Sequence, residues 1–122
     1  MATLTNAGKA GIAKRINGVT QNAFTYIAIG SGSTAEAATQ TALVTEITTN
    51  GGARAAATCE YVANYTARHT KLFNFTGNVT LREVAIFDAA SGGNMLMRHV
   101  YAADKTYISG ESVEIIIDHV VS

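Results

Sequence analysis

The stretch Val79-Thr80-Leu81-Arg82-Glu83-Val84-Ala85-Ile86-Phe87, followed by the turn Ser91-Gly92-Gly93-Asn94 and the run Met95 to Tyr101, decides the fold class. β-branched and aromatic residues fill the first segment, and a Gly/Asn turn ties it to the second at hairpin spacing. Working outward, a period of two runs from Ala53 onward through Arg54 to Val62, Thr66 to Thr76 and Ser112 to Val121. The turn signals Gly51-Gly52, Ala63-Asn64, Gly77-Asn78 and Ser109-Gly110 separate these segments. Five strands in succession without a helix predict a mainly β fold, an antiparallel β-sandwich or jelly-roll-like domain. The chain has no proline, so its strand edges need charges, bulges, helices or a neighbouring subunit for protection.

Upstream, the pattern changes. Thr5-Asn6 can cap a helix from about Ala7 to Ile16, with Lys14 and Arg15 at its negative end and Asn17-Gly18 as the stop. Phe24 to Ile29 reads as a strand ending in a Gly/Ser turn, and Thr39 to Ile47, with Leu43, Val44 and Ile47 on one side, reads as a second short helix. Met1 to Thr5 is expected to be a flexible N-terminal arm. No linker or repeat interrupts residues 1–122, which predicts one structural domain.

Charged residues make up only 15% of the 122 positions, below the roughly 25% of ordinary soluble domains. Thr, Ala, Ser, Asn and Gly replace them, and such a surface gives up little rotamer entropy and no full charge when another protein covers it. The formal net charge is zero, which removes the electrostatic footprint of a nucleic-acid or anionic-membrane binder. The opening residues lack the basic and apolar regions of a signal peptide, so assembly in the cytoplasm is expected. Cys59 is the single cysteine, so neither an internal disulfide nor a cysteine cluster for zinc is available, and a small buried strand residue is expected there.

The residue types of several chemistries occur, each without its context. Gly30-x-Gly32-x-x-Ala35 matches a dinucleotide-binding pattern, but no βαβ unit follows and a flexible turn is expected. His69, His99 and His119 lack the short spacings of a metal site and read as satisfied or half-exposed histidines. Asp88, Ser91 and His99 include the types of a hydrolytic triad, yet Ser91 sits in a turn with no strand-to-helix elbow. Glu83 and Asp88 are expected to diverge along a strand. The expectation is a protein without catalytic, cofactor or metal residues and without a cofactor.

Three groups of residues carry a family likeness. They are the opening Leu4-Thr5-Asn6-Ala7-Gly8-Lys9, the strand and turn Phe24-Thr25-Tyr26-Ile27-Ala28-Ile29-Gly30-Ser31-Gly32, and Leu81 to Ala89 with the following Ser91-Gly92-Gly93-Asn94-Met95-Leu96-Met97-Arg98. Together they resemble small virion structural proteins of tailed bacteriophages. The N-terminal half is also similar to the N-terminal region of phage tail-collar fibre proteins.

The resemblance implies a structural role in the virion. Because the sequence stops at Ser122 with no fibre shaft behind it, the expected role is a capsid decoration or cement protein on the outside of the shell, with a tail, baseplate or fibre-attachment adaptor as the alternative. The expected partners are the major capsid protein and copies of the same chain, or tail and baseplate proteins in the alternative. Tyr26, Tyr61, Tyr65, Tyr101 and Tyr107 are candidate interface anchors, since tyrosine is enriched at interfaces, although capping of the sandwich core explains them equally well. Arg54, Arg82 and Arg98 are candidates for pairing across subunits, with Arg82 and Arg98 expected on solvent or subunit faces.

Overall fold

Alternation along the C-terminal half produces two antiparallel sheets. The computed structural model describes residues 2–121. In chain order the elements are β1 (Thr3–Leu4), α1 (Asn6–Ile16), β2 (Tyr26–Gly30), β3 (Ala55–Ala56), β4 (Thr58–Val62), β5 (Thr66–Asn74), β6 (Val79–Phe87), β7 (Met95–Tyr107) and β8 (Ser112–Val120). One sheet has the order β1-β7-β6-β2-β3 and the other β4-β5-β8. The sheets bury Ile27, Ile29, Val84, Ile86 and Met97 of the larger against Phe73 and Ile115 of the smaller, forming a β-sandwich core. The sandwich expectation therefore holds.

The strand β6 is buried on both faces over Glu83 to Phe87. Its core-facing residues meet the smaller sheet. Its outer-facing Ala85 and Phe87 pack with Ala28, Leu43 and Met95 under the segment that connects β2 to β3. This explains why the segment Val84-Ala85-Ile86-Phe87 lacks polar alternation, as expected of a strand covered on both sides.

Four expectations need correction. Thr39 to Ile47 is not a helix: Ile47 N–H donates to Ile29 O, Ser31 N–H donates to Thr45 O, and Gly30 forms a bridge with Glu46. Its backbone groups are bonded to β2 and its flank, leaving no i→i−4 ladder to form. The N-terminal arm is not free over Thr3 to Thr5, because β1 pairs with Met97 and Arg98 of β7 and Thr5 is 0% exposed; Met1 lies outside the described residues. Arg54 to Val62 is divided between β3 in one sheet and β4 in the other. Cys59 is exposed, because β4 is an edge strand whose side chains are mostly uncovered.

Thr5 anchors the start of α1. Its hydroxyl accepts from Gly8 N–H at 2.9 Å as an N-cap and donates to Met95 O, while its own N–H reaches Leu96 O at 3.1 Å. A Cβ at Gly8 would fall 2.2 Å from Leu96 O, so the helix can lie on β7 only with glycine there. The opening Thr-Asn-Ala-Gly motif is thus a cap plus a close backbone approach. No helix among the described residues is long and apolar enough to cross a membrane.

Candidate functional site

The outer face of the five-stranded sheet carries a buried ion pair. Alternation on β6 and β7 places Glu83 and Arg98 on the side away from the sandwich core, and both are 0% exposed. Arg98 Nε donates to Glu83 Oε1 at 2.8 Å. Val44 N–H donates to the same oxygen at 3.0 Å, and Gly32 and Thr45 N–H groups donate to Oε2 at 2.9 and 2.8 Å. Arg98 Nη1 donates to Thr34 O and to Gln40 Oε1, whereas Nη2 has no partner among the described residues.

The carboxylate thereby holds both ends of the 31–45 segment, and the guanidinium holds its middle. A Cβ at Gly30 or Gly32 would approach Glu83 Oε2 to 2.5 or 2.7 Å. The Gly30-x-Gly32 pattern makes room for an internal carboxylate rather than a phosphate. Arg98 is corrected from a surface position to an interior one: its face of the strand follows from period two, but that face is roofed.

Two other arginines are also engaged within the chain. Arg54 makes a two-pronged pair with Glu46 at 2.8 and 3.1 Å, donates to Ala89 O and Gly92 O, and lies 3.6 Å above the centre of the Phe87 ring. It ties the segment before β3 to the β6–β7 turn. Arg82 spans a bulge: Leu81 pairs with Lys105 and Glu83 with Val100, leaving residues 101–104 of β7 looped opposite it. Its Nε donates to Tyr101 O and its Nη1 to Asp104 at 3.0 Å.

The tyrosines separate into two groups. Tyr26, Tyr101 and Tyr107 are partly buried against core residues, with Tyr107 and Phe75 ring centres 5.0 Å apart. Burial, with a smaller push from Tyr107, raises the pKa of the Tyr101 phenol above its ordinary value. Tyr61 and Tyr65 are 73% and 71% exposed at the two sides of the β4–β5 hairpin. Tyr65 has φ 65° and the preceding Asn64 has φ 67°, a left-handed pair that is costly at a tyrosine.

At this hairpin the smaller sheet extends beyond its cover. Tyr61 and His119 are both opposite Ala67, and alternation puts all three on the face that carries buried His69 and Phe73 farther along β5. Here that face is open. Leu4, Ile12 and Phe24 form the opposite wall of a groove of about 470 Å³, with Arg15 at its margin. Ala67, Val120 and Val121 continue from this groove into an open apolar hollow beside Tyr61 and Tyr65.

Asp88, His99 and His69, three of the residues weighed above for hydrolytic or metal chemistry, have partners within the fold. Asp88 accepts from Asn94 N–H at 2.7 Å, from the Asn94 side chain and from Gln21, so it organises the β6–β7 turn. Burial raises its pKa, but those donors together outweigh burial and leave it below the ordinary value. His99 Nδ1 lies 3.2 Å from the Glu36 carboxylate, which accepts hydrogen bonds from Thr3 Oγ1 and Val100 N–H. His69 Nε2 is 2.6 Å from Phe24 O.

Of the sequence-derived interface set, the structure brings Tyr61 and Tyr65 together around one exposed hollow and Arg82 and Tyr101 together in a hydrogen bond within the larger sheet. Sequence reasoning missed Glu83, whose role depends on a segment about 40–50 residues upstream. It also missed the groove wall, whose apolar residues lie on separate elements. An apolar Val120-Val121 ending beside an apolar hairpin was the available signal for the latter.

Residues 4–121 match the family described as Podophage GP4 fiber I protein gp80. No match is found among curated proteins. With nearly the whole of the described chain covered, the protein belongs to the podophage GP4 fiber I protein gp80 family and is a phage virion structural protein.

Proposed function

We propose that the protein is a non-catalytic component of the phage tail, a fibre or fibre-attachment subunit that works by docking its β-sandwich body onto neighbouring virion proteins. The observation that carries this reading is the contrast between internally bonded charges and the open apolar end. Arg54, Arg82, Arg98, Glu83 and Asp88 are all committed to contacts within the chain. Tyr61, Tyr65, Val120 and Val121 are 56–73% exposed around a hollow that has no charged side chain among the described residues lining it. Such an aromatic and aliphatic patch gains free energy when a partner covers it, and its tyrosines lose few rotamers on docking.

The fibre description of the family favours the tail over the shell surface as the location. Tail and baseplate proteins, with further copies of this chain, are the proposed partners. Quantitative mass spectrometry of particles separated into tails and shells tests the reading. The expected result is retention on tails at a copy number set by tail symmetry, with unchanged shell heat resistance when the gene is deleted. Copies matching the major shell protein in number, with a heat-labile shell on deletion, would instead identify a capsid decoration protein.

A further inference from the structure

We infer that Asn17 is a site of spontaneous deamidation, and that the fold directs this reaction to Asn17-Gly18 while sparing Asn50-Gly51. These are the two Asn-Gly pairs of the chain. Glycine after asparagine leaves the peptide nitrogen open to the side-chain amide, because no Cβ shields it. In an unfolded chain the two pairs are chemically equivalent. Any difference between them in the folded protein comes from the structure.

The reaction needs only water. The Gly18 nitrogen attacks Asn17 Cγ, the Cγ–Nδ2 bond breaks, and ammonia leaves with the proton that the Gly18 nitrogen gave up to solvent. Water then opens the resulting five-membered succinimide at either carbonyl. Cleavage of the new N–Cγ bond yields aspartate, and cleavage of the original peptide bond yields isoaspartate. Nothing is oxidised or reduced, and one neutral amide becomes one carboxylate.

Ring closure requires the asparagine to turn until Cγ meets the next nitrogen. At the end of α1 little opposes that turn. Asn17 N–H reaches Ala13 O and Gly18 N–H reaches Arg15 O at 3.3 Å each, long for such bonds. Both residues are exposed, a Cβ at Gly18 would meet nothing within 4 Å, and the Asn17 side chain has no hydrogen-bond partner among the described residues. Helix ends of this kind open at almost no cost.

Asn50-Gly51 is pinned to the β5–β6 connection instead. Asn50 Nδ2, the nitrogen that would have to leave, donates to Asn78 O at 3.0 Å, and Asn50 O accepts from Thr76 N–H at 3.0 Å. A Cβ at Gly51 would overlap Asn74 O, and one at Gly77 would lie 2.7 Å from Asn50 Cγ, so backbone packs closely against both residues of the pair. These contacts must break before the ring can form. At Asn17 the product adds an anion to a helix that carries Lys9, Lys14 and Arg15 and no acidic residue, and in a particle that makes no new protein it accumulates with age.

Peptide mapping of the purified full chain, aged at mildly alkaline pH either native or in guanidinium chloride, tests the inference. Trypsin releases Ile16 to Arg54 as one peptide, because no Lys or Arg lies between Arg15 and Arg54, so fragment ions of a single species report both pairs. In the native protein, conversion at Asn17 is expected to run at least about tenfold ahead of Asn50, whose turn must open first. In denaturant the two pairs should react at similar rates. Asn17→Gln keeps the amide but would need a larger ring, and it should remove the fast phase of ammonia release from the native protein. Equal rates at the two pairs in the native state, no conversion at Asn17 over a period in which the denatured chain reacts, or ammonia release unchanged in N17Q would overturn the inference.

Discussion

The pair Glu83–Arg98 on the five-stranded sheet and the pair Arg68–Asp118 on the three-stranded sheet have nearly equal contact distances, 2.8 and 2.7 Å. Their surroundings differ. The side chains of the first are at most 1% exposed beneath the 31–45 segment, whereas those of the second are 36% and 39% exposed. In water, the attraction of Arg68 and Asp118 competes with solvation and salt. Under the roof, Glu83 and Arg98 have lost their solvation and depend on each other and on backbone groups. The cover decides what each pair contributes.

The largest predicted effect is therefore at the covered pair. Glu83→Gln or Arg98→Met alone should lower stability by about 3–5 kcal/mol, because the remaining partner is buried and uncompensated. For a chain of this length that corresponds to a fall of roughly 10–20 °C in Tm, measured by calorimetry. The double change Glu83→Gln with Arg98→Met should recover part of the loss, since no buried charge is left unpaired and the side-chain carbonyl at position 83 still accepts from the amides of the 31–45 segment.

Gly32→Ala should be next. The new methyl would sit 2.5 Å from Val44 Cβ and 2.7 Å from Glu83 Oε2, lifting the roof at a cost of about 1–3 kcal/mol. Its signature is faster amide exchange at Val44 and Thr45 than at strand β6. Thr5→Ala removes the cap of α1 and the link to Met95, with an expected loss of about 1–2 kcal/mol by urea unfolding.

Acid provides a finer comparison. Burial raises the pKa of Glu36, but the Val100 amide, the Thr3 hydroxyl and His99 outweigh it and place the carboxyl below its ordinary value. A depressed folded pKa means that ionised Glu36 contributes fully above its unfolded value of about 4.3 and loses that contribution as pH falls through the lower folded value. Glu36→Gln should flatten the loss of Tm over that acid range. Arg68→Ala, at the exposed pair, should leave Tm unchanged within error; a marked fall would show that cover is not the deciding variable.

The same distinction separates what could be read in the sequence from what could not. Strand β6 and the hairpin to β7 were legible because side-chain alternation and the Ser-Gly-Gly-Asn turn are local properties. Thr39 to Ile47 misled because Leu43, Val44 and Ile47 have helical spacing, while the amides of Val44 and Thr45 are claimed by a carboxylate about 40 residues later. Period two gave the correct strand face for Arg98 but carried no information that a loop covers it. Tyr61 and Tyr65 were identifiable by residue type, yet only the projection of the β4–β5 hairpin past Phe24 and α1 distinguishes them from the core-capping Tyr101 and Tyr107.

The central claim is that the roofed face is sealed by the chain itself while the hairpin end is the assembly surface. Amide hydrogen exchange on the free protein and on intact virions tests it most directly. The account predicts slow exchange at Gly32, Val44 and Thr45 in both states and new protection in the virion at residues 61–67 and 119–121. New protection confined to residues 31–45, with unchanged exchange at the hairpin end, would contradict it.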